Sequence, residues 1–442
     1  MFANLLYLLG LGLLSPVIAF RMLRHGRYRR GIGQKLLGLS AEEGIRLRGS
    51  TSDRELIWMH AVSVGEVNLL PGIVARMEQA SEAPVAIVIS SSTDTGYDLA
   101  VKHFGADRVF FCPLDFTWAV RRTLRNLMPS RLVLAELELW PNLIQQASRG
   151  GCEVLVINGR LSDRSSSRYQ QFDQWTKATF GRLSWVGCQD QASMSNFAAC
   201  GVPAERLEVT GSLKFDDAPT SRETTDVQER ATWAGLDPWH RVWIVGSTQA
   251  GEEEMALDVY QDLLDSHSEL RLILVPRHKE RFDEVAELIR AKGLQAHRRS
   301  RDASLDDQDW DSDRVILVDT IGELRHWWGV GQIATVGGSF GDRGGQNMLE
   351  PAGYGNAVSF GPNTRNFRQI ADWLLEAGGA VRLADAAEMK AFVDRCLCDV
   401  PAADALGRAA KELVAKHRGA TERTVARMVM ATPEEQTQRR AG

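Results

Sequence analysis

Residues 242–254 read VWIVGSTQAGEEE: an apolar, β-branched run that stops at a glycine, two hydroxyl residues, then a glycine and three glutamates. A run this short, bounded by turn residues and followed by an acidic first turn, is the pattern of a buried strand feeding a helix. Its turn gathers hydroxyls and free backbone N–H groups at a helix start, which makes an anion site. The same cadence extends in both directions. Upstream lie Leu56–Ala61, Val85–Ser90, Arg131–Ala135, Glu153–Ile157 and Leu207–Thr210; downstream lie Leu270–Val275, Val315–Val318, Gln332–Val336 and Ala357–Phe360. Each alternates with a longer amphipathic stretch, as in βα units around a parallel sheet. The cadence breaks at DDAPTSRETTD (216–226), which is polar and has no apolar period. The prediction is therefore an α/β chain of two Rossmann-like domains joined by a polar linker.

The chain has 442 residues, enough for several domains with real cores. With 52 Lys+Arg against 57 Asp+Glu the net charge is −5, which excludes a general nucleic-acid binder. Six cysteines (Cys112, Cys152, Cys188, Cys200, Cys396 and Cys398) contain no C-x-x-C pair, so they read as reduced thiols in a cytoplasmic body. The segment SRDASLDDQDWDSD (300–313) lacks calcium-loop spacing and reads as a solvated loop.

Phe2 to Phe20 carries no charge and spans about 28 Å as a helix. Arg21, Arg24, Arg27, Arg29, Arg30 and Lys35 follow it, and nothing basic precedes it. The positive-inside rule then predicts an N-terminal membrane anchor with the remaining chain on the cytoplasmic side. A helix lying in the interface is the alternative, and either places the basic residues against anionic lipid. The boundaries expected are an anchor at 1–20, a basic juxtamembrane segment at 21–50, a first domain at 51–215, a linker at 216–228, a second domain at 229–432 and a polar tail at 433–442.

Ligands of open parallel sheets bind at the carboxyl ends of the strands. After Leu56–Ala61 comes VSVGE, which places Glu66 near a helix start as a candidate general base. After Arg131–Ala135 comes ELELWPN, where Glu136 or Glu138 supplies a second carboxylate or caps the next helix. In the second half, Ser247 and Thr248, Arg277, the glycines Gly337 and Gly338 with Ser339, and Glu350 end or follow apolar runs and suit a phosphate and a ribose. These features are expected to converge on one inter-domain cleft. No P-loop, dinucleotide fingerprint, H-E-x-x-H or G-x-S-x-G run is present, and the histidines lack metal-ligand spacing, so no metal or cofactor is expected.

HAVSVGE (60–66), ELELWPN (136–142), NGRLSDRS (158–165), GSLKFD (211–216), GSTQAGEEE (246–254), VPRHKERF (275–282), GEL (322–324), GGSF (337–340), GGQNMLEPA (344–352) and GPNTRNF (361–367) occur in that order. This set resembles that of the 3-deoxy-D-manno-octulosonic acid (Kdo) transferases, membrane-anchored GT-B glycosyltransferases of lipopolysaccharide assembly. The resemblance implies an inverting, metal-independent transfer of Kdo from CMP-Kdo to the lipid A precursor (lipid IVA) at the cell inner membrane. It implies Glu66 as general base and Glu136 as an active-site carboxylate on the acceptor side. Ser247, Thr248, Arg277, His278, Gly337, Gly338, Ser339, Asn347, Glu350 and Lys214 are implied on the CMP-Kdo side, with Arg160 and Ser63 as partners for acceptor anions.

Two positions depart from the family pattern: Gln249 and Gln346 stand where histidine is usual. An amide hydrogen-bonds but carries no positive charge, so weaker or less pH-sensitive donor binding is expected. The alternatives are a GT-B transferase using another nucleotide sugar, or a membrane-bound binding protein that has lost turnover.

Overall fold

The computed structural model describes residues 4, 7, 24, 29–49, 54–81, 85–137, 140–305 and 314–430. The chain divides into two compact units, residues 1–216 together with 418–442, and residues 217–417.

The first unit holds seven strands: β1 (Glu55–His60), β2 (Val85–Ser91), β3 (Val109–Phe111), β4 (Arg131–Ala135), β5 (Glu153–Gly159), β6 (Trp185–Cys188) and β7 (Leu207–Val209). They pair in the order β3-β2-β1-β4-β5-β6-β7, all parallel. Side chains alternate across the sheet. Leu56, Trp58, Leu132, Leu134, Val154 and Val156 enter one core with Leu143, Ile144, Phe180 and Phe197. Ile57, Met59, Val133 and Leu155 enter the other with Ile73, Met77, Val425 and Met428. Helices on both faces explain why these strands read as continuous apolar runs.

The second unit repeats the plan with β8 (Arg241–Thr248), β9 (Leu270–Pro276), β10 (Gln295–Arg298), β11 (Arg314–Leu317), β12 (Ile333–Val336), β13 (Ala357–Phe360) and β14 (Ala380–Arg382). The order is β10-β11-β9-β8-β12-β13-β14, again parallel throughout. In each sheet the first strand is interior. The chain builds the strands on one side of it, with β11 inserted between β9 and β10 in the second sheet, and then returns to start the other, creating a switch point between β1 and β4 and another between β8 and β12.

Three expected boundaries are corrected. Residues 229–432 were assigned to the second domain, but the helix Ala420–Met430 packs on the first sheet through Ala420, Val425 and Met428. The Asp216 carboxylate accepts from Gly419 N (2.7 Å), Ala420 N (3.3 Å) and Thr421 N (2.5 Å), so it caps that helix. Arg131, held between Glu55 and Glu153 at 3.2 Å each, donates to Met428 O (2.6 Å). The linker expected at 216–228 belongs to the second unit from Asp217 on, while Asp216 stays with the first. Arg222 donates to the Gly329 and Gly331 carbonyls (2.8 and 2.6 Å), and the helix Thr225–Trp233 buries Val227. The basic segment expected at 21–50 is folded from Ile32 on, as helices Ile32–Leu37 and Ala41–Arg48. Leu39 N there donates to Thr123 Oγ1 (3.0 Å), and Leu39 and Leu47 are buried.

Most of the apolar run 2–20, the tail 433–442, Glu138 and residues 306–313 of the Asp-rich loop lie outside the described residues. Among the described residues no helix is long and apolar enough to cross a membrane.

Candidate active site

At the first switch point β1 runs into Ser63, whose hydroxyl caps the short helix Val64–Val67. Glu66 lies in that turn and is 8% exposed. Its Oε2 accepts from Val62 N (2.8 Å) and its Oε1 from the Ser63 hydroxyl (2.7 Å). These bonds fix the carboxylate but leave lone pairs on both oxygens for an incoming proton. Burial pushes the Glu66 carboxyl up, opposed by those hydrogen bonds and assisted by the charge of Glu136. The result is a more basic carboxylate in a fixed position.

Glu136 follows β4 with φ at +57°, a left-handed conformation that a side chain adopts only when its surroundings enforce it. Its Oε1 pairs with Lys214 Nζ (3.1 Å) and accepts from Asn158 Nδ2 (3.3 Å). Asn158, buried and also at positive φ, accepts from Leu213 N (3.0 Å) and so ties the turn that carries Lys214 to the end of β5. Lys214 was expected on the donor side; it stands in the first unit, neutralising Glu136. Ser63, expected to meet an anion, donates its proton to Glu66 instead. Arg160 follows β5, is exposed, and makes no ion pair among the described residues.

At the second switch point the β8–β9 register shifts between Gly246 and Thr248, leaving Ser247 as a bulge at φ +57°. Thr248 is buried. Its hydroxyl donates to Glu253 Oε1 (2.7 Å), which also takes Arg281 Nη1 (2.5 Å). Ser339 is buried as well: its hydroxyl donates to Val336 O (2.6 Å) and accepts from Gly361 N (2.8 Å). Both residues were expected to touch the donor; in the structure their hydroxyls complete strand-end turns. Gly337 has no room for a side chain: a Cβ there would lie 2.8 Å from Glu252 Oε2 and from Thr248 Cα. Gly338, at φ +65°, lies under the side chain of Gln346.

Arg277 and His278 are both exposed just past β9, and Asn347 and Glu350 are half-buried. The Arg277 guanidinium has no ion-pair partner among the described residues, while the backbone N–H of Arg277 donates to Thr248 O (3.1 Å). Asn347 Nδ2 donates to Glu350 Oε1 (3.2 Å), and its Oδ1 accepts from Leu349 N (3.1 Å). Burial raises the Glu350 carboxyl, while the charges of Arg325 and Arg277 pull it down. Arg325, braced by Asp217 Oδ2 at 2.9 Å, was missed in the sequence, although it directly follows the GEL motif. Among the described residues the one group of three metal-capable side chains, His267, Asp394 and Cys398, includes none of these residues.

Two doubly wound parallel sheets, with paired carboxylates at one switch point and a hydroxyl, glycines and an unpaired arginine at the other, define a GT-B-like α/β protein. A solved UDP-GlcNAc 2-epimerase from Neisseria meningitidis shares this fold, with TM-score 0.55 over 85% of this chain and 100% of that chain at 9% identity. The family model described as 3-deoxy-D-manno-octulosonic-acid transferase (kdotransferase) matches residues 33–217. The 3-deoxy-D-manno-octulosonic acid transferase of Haemophilus influenzae is 33% identical over 83% of this chain and 85% of its own length. That of Bordetella pertussis is 32% identical over 95% and 97%. The chain belongs to the 3-deoxy-D-manno-octulosonic acid transferase family and is a glycosyltransferase.

Proposed function

We propose that this glycosyltransferase moves Kdo from CMP-Kdo to the lipid A precursor in lipopolysaccharide assembly, with inversion at the anomeric carbon and without a metal ion. The observation that carries the reading is Glu66: a buried carboxylate at a switch point, aimed by Val62 N and Ser63 and made more basic by burial. The acceptor hydroxyl gives its proton to Glu66 as its oxygen bonds to the anomeric carbon of Kdo. The bond from that carbon to the phosphate oxygen breaks on the opposite side, and its electron pair leaves with CMP. Arg277, cationic and otherwise unpaired, supplies charge for the leaving phosphate. Lys214 pairs with Glu136 beside the base, and the Glu136 charge raises the proton affinity of Glu66. The test is formation of Kdo-extended lipid by the purified protein in excess chelator, and its loss in Glu66→Gln.

Two described residues of the apolar run bear on the membrane arrangement. Tyr7 donates to Asp115 Oδ2 (3.0 Å), and Asn4 Oδ1 accepts from Thr117 N (3.1 Å) and Asn142 Nδ2 (3.2 Å). Farther along, Lys35 O accepts from Leu114 N (2.8 Å). Residues 7 and 35 thus reach adjacent residues of one loop. A single crossing of a hydrocarbon core about 30 Å thick would separate them. This supports an N-terminal run that lies in the cytoplasmic face of the inner membrane among anionic lipids, rather than one that spans it.

A further inference from the structure

The loop after β12 turns the backbone N–H groups of Gly338, Ser339 and Phe340 to one side, and such a run of amides is ordinarily an anion nest. Here the nest is filled from within the protein. Glu252 Oε2 accepts from Gly338 N (2.7 Å) and Gln249 N (2.9 Å), and Oε1 accepts from Ser339 N and Phe340 N (3.0 Å each). Glu252 is 4% exposed. Its four donors come from the two segments that form the second switch point, one after β8 and one after β12. The loop it grips is latched in turn, because Gly338 O accepts from Gly345 N (2.7 Å) and Ser339 O from Asn363 N (2.9 Å).

We infer that Glu252 is a positioning residue of the donor site. Its carboxylate holds the 337–340 loop by its amides, so the donor phosphate is met by side chains such as Arg277 and not by that backbone. This rests on the CMP-Kdo reading above. The site demands four accepting lone pairs, which a carboxylate has and an amide lacks. In Glu252→Gln one pair of backbone donors must face an NH2 group, and the loop is pushed from its place. Glu252→Asp keeps both acceptors on a shorter arm.

The experiment has two arms. In the wild type without nucleotide, hydrogen exchange at Gly338, Ser339 and Phe340 is expected to be slow and unchanged by adding CMP. Exchange at the rate of an open loop, or protection that appears only with CMP, overturns the inference. In the second arm CMP affinity and donor kinetics are measured for wild type, Glu252→Gln, Glu252→Asp and the exposed control Glu254→Gln. The expected result is about a tenfold or greater weakening of CMP binding and a matching rise in donor KM in Glu252→Gln, with kcat changed far less. Glu252→Asp is expected to fall between it and wild type, and the control to match wild type. CMP affinity within twofold of wild type in a folded Glu252→Gln overturns the inference; if that variant does not fold, the exchange arm decides. Failure of the wild type to bind CMP at all defeats the CMP-Kdo reading and leaves the exchange arm to judge what Glu252 does.

Discussion

Glu66 is buried in a place that favours its neutral form, and this has consequences for stability as well as catalysis. A carboxyl whose pKa is raised on folding costs stability once the pH is above its unfolded value, about 4.3, and the cost disappears as pH falls below that value. Glu66→Gln keeps the acceptor for Val62 N, and the Ser63 hydroxyl can turn to accept from the new amide. At neutral pH the variant is therefore expected to melt at or above the wild-type temperature while losing turnover. In the wild type the acid limb of kcat/KM is expected to lie above the ordinary carboxylate range, measured by a pH–rate profile from about pH 4 to 8. A second test concerns Gln346, which lies over Gly338. Gln346→His is expected to tighten CMP binding as pH falls from about 8 to about 5.5, with wild-type affinity nearly flat over that range; identical titrations would contradict it. The placement of Glu66 and Glu136 at strand ends was legible because a carboxylate directly after an apolar run is positioned by topology alone. The bonds of Thr248 and Ser339 were not legible, because a hydroxyl in the same position can serve the turn itself, and whether it does depends on partners such as Glu253 and Gly361 from elsewhere in the chain.

Each strand expected from an apolar run is present, because a strand covered on both faces must be apolar at nearly every position. The strands β3, β6, β10 and β14 escaped notice; each has only three or four residues, and in β10 (Gln295–Arg298) and β14 (Ala380–Arg382) polar residues interrupt the apolar run. The helix Ala420–Met430 shows what local pattern cannot supply. Nothing in its own residues says that it belongs to a sheet formed some 200 positions earlier, and the residue that claims it, Asp216, sits in a stretch that reads as linker. Asp216→Ala removes the acceptor for three backbone amides and is expected to cost about 1–2 kcal/mol. Thermal melting checks that figure, and limited proteolysis is expected to cut first near Arg418. An unchanged melting temperature together with an intact C-terminus would show that the cap does not hold the helix.

Across the whole chain, the modest net charge conceals an uneven distribution. Basic residues follow the apolar N-terminal run, and Arg277, without an ion-pair partner among the described residues, follows β9, while acidic groups elsewhere offset them. The contacts of Tyr7 and Asn4 make the N-terminal arrangement testable. With exposed Cys398 replaced by serine and the other cysteines buried, Ala3→Cys is expected to react with a membrane-impermeant maleimide from the cytoplasmic face of inverted vesicles. Labelling only from the opposite face would show a spanning anchor. The central claim, that a glycosyltransferase with Glu66 as base uses CMP-Kdo and a lipid A precursor, is tested most directly by the masses of the lipid products. Purified protein, lipid A precursor and CMP-Kdo generated in situ, in excess chelator, are predicted to yield lipid heavier by one or more Kdo units, with kcat at least about a hundredfold lower in Glu66→Gln. No Kdo-dependent mass increase, or undiminished transfer by Glu66→Gln, would contradict the account.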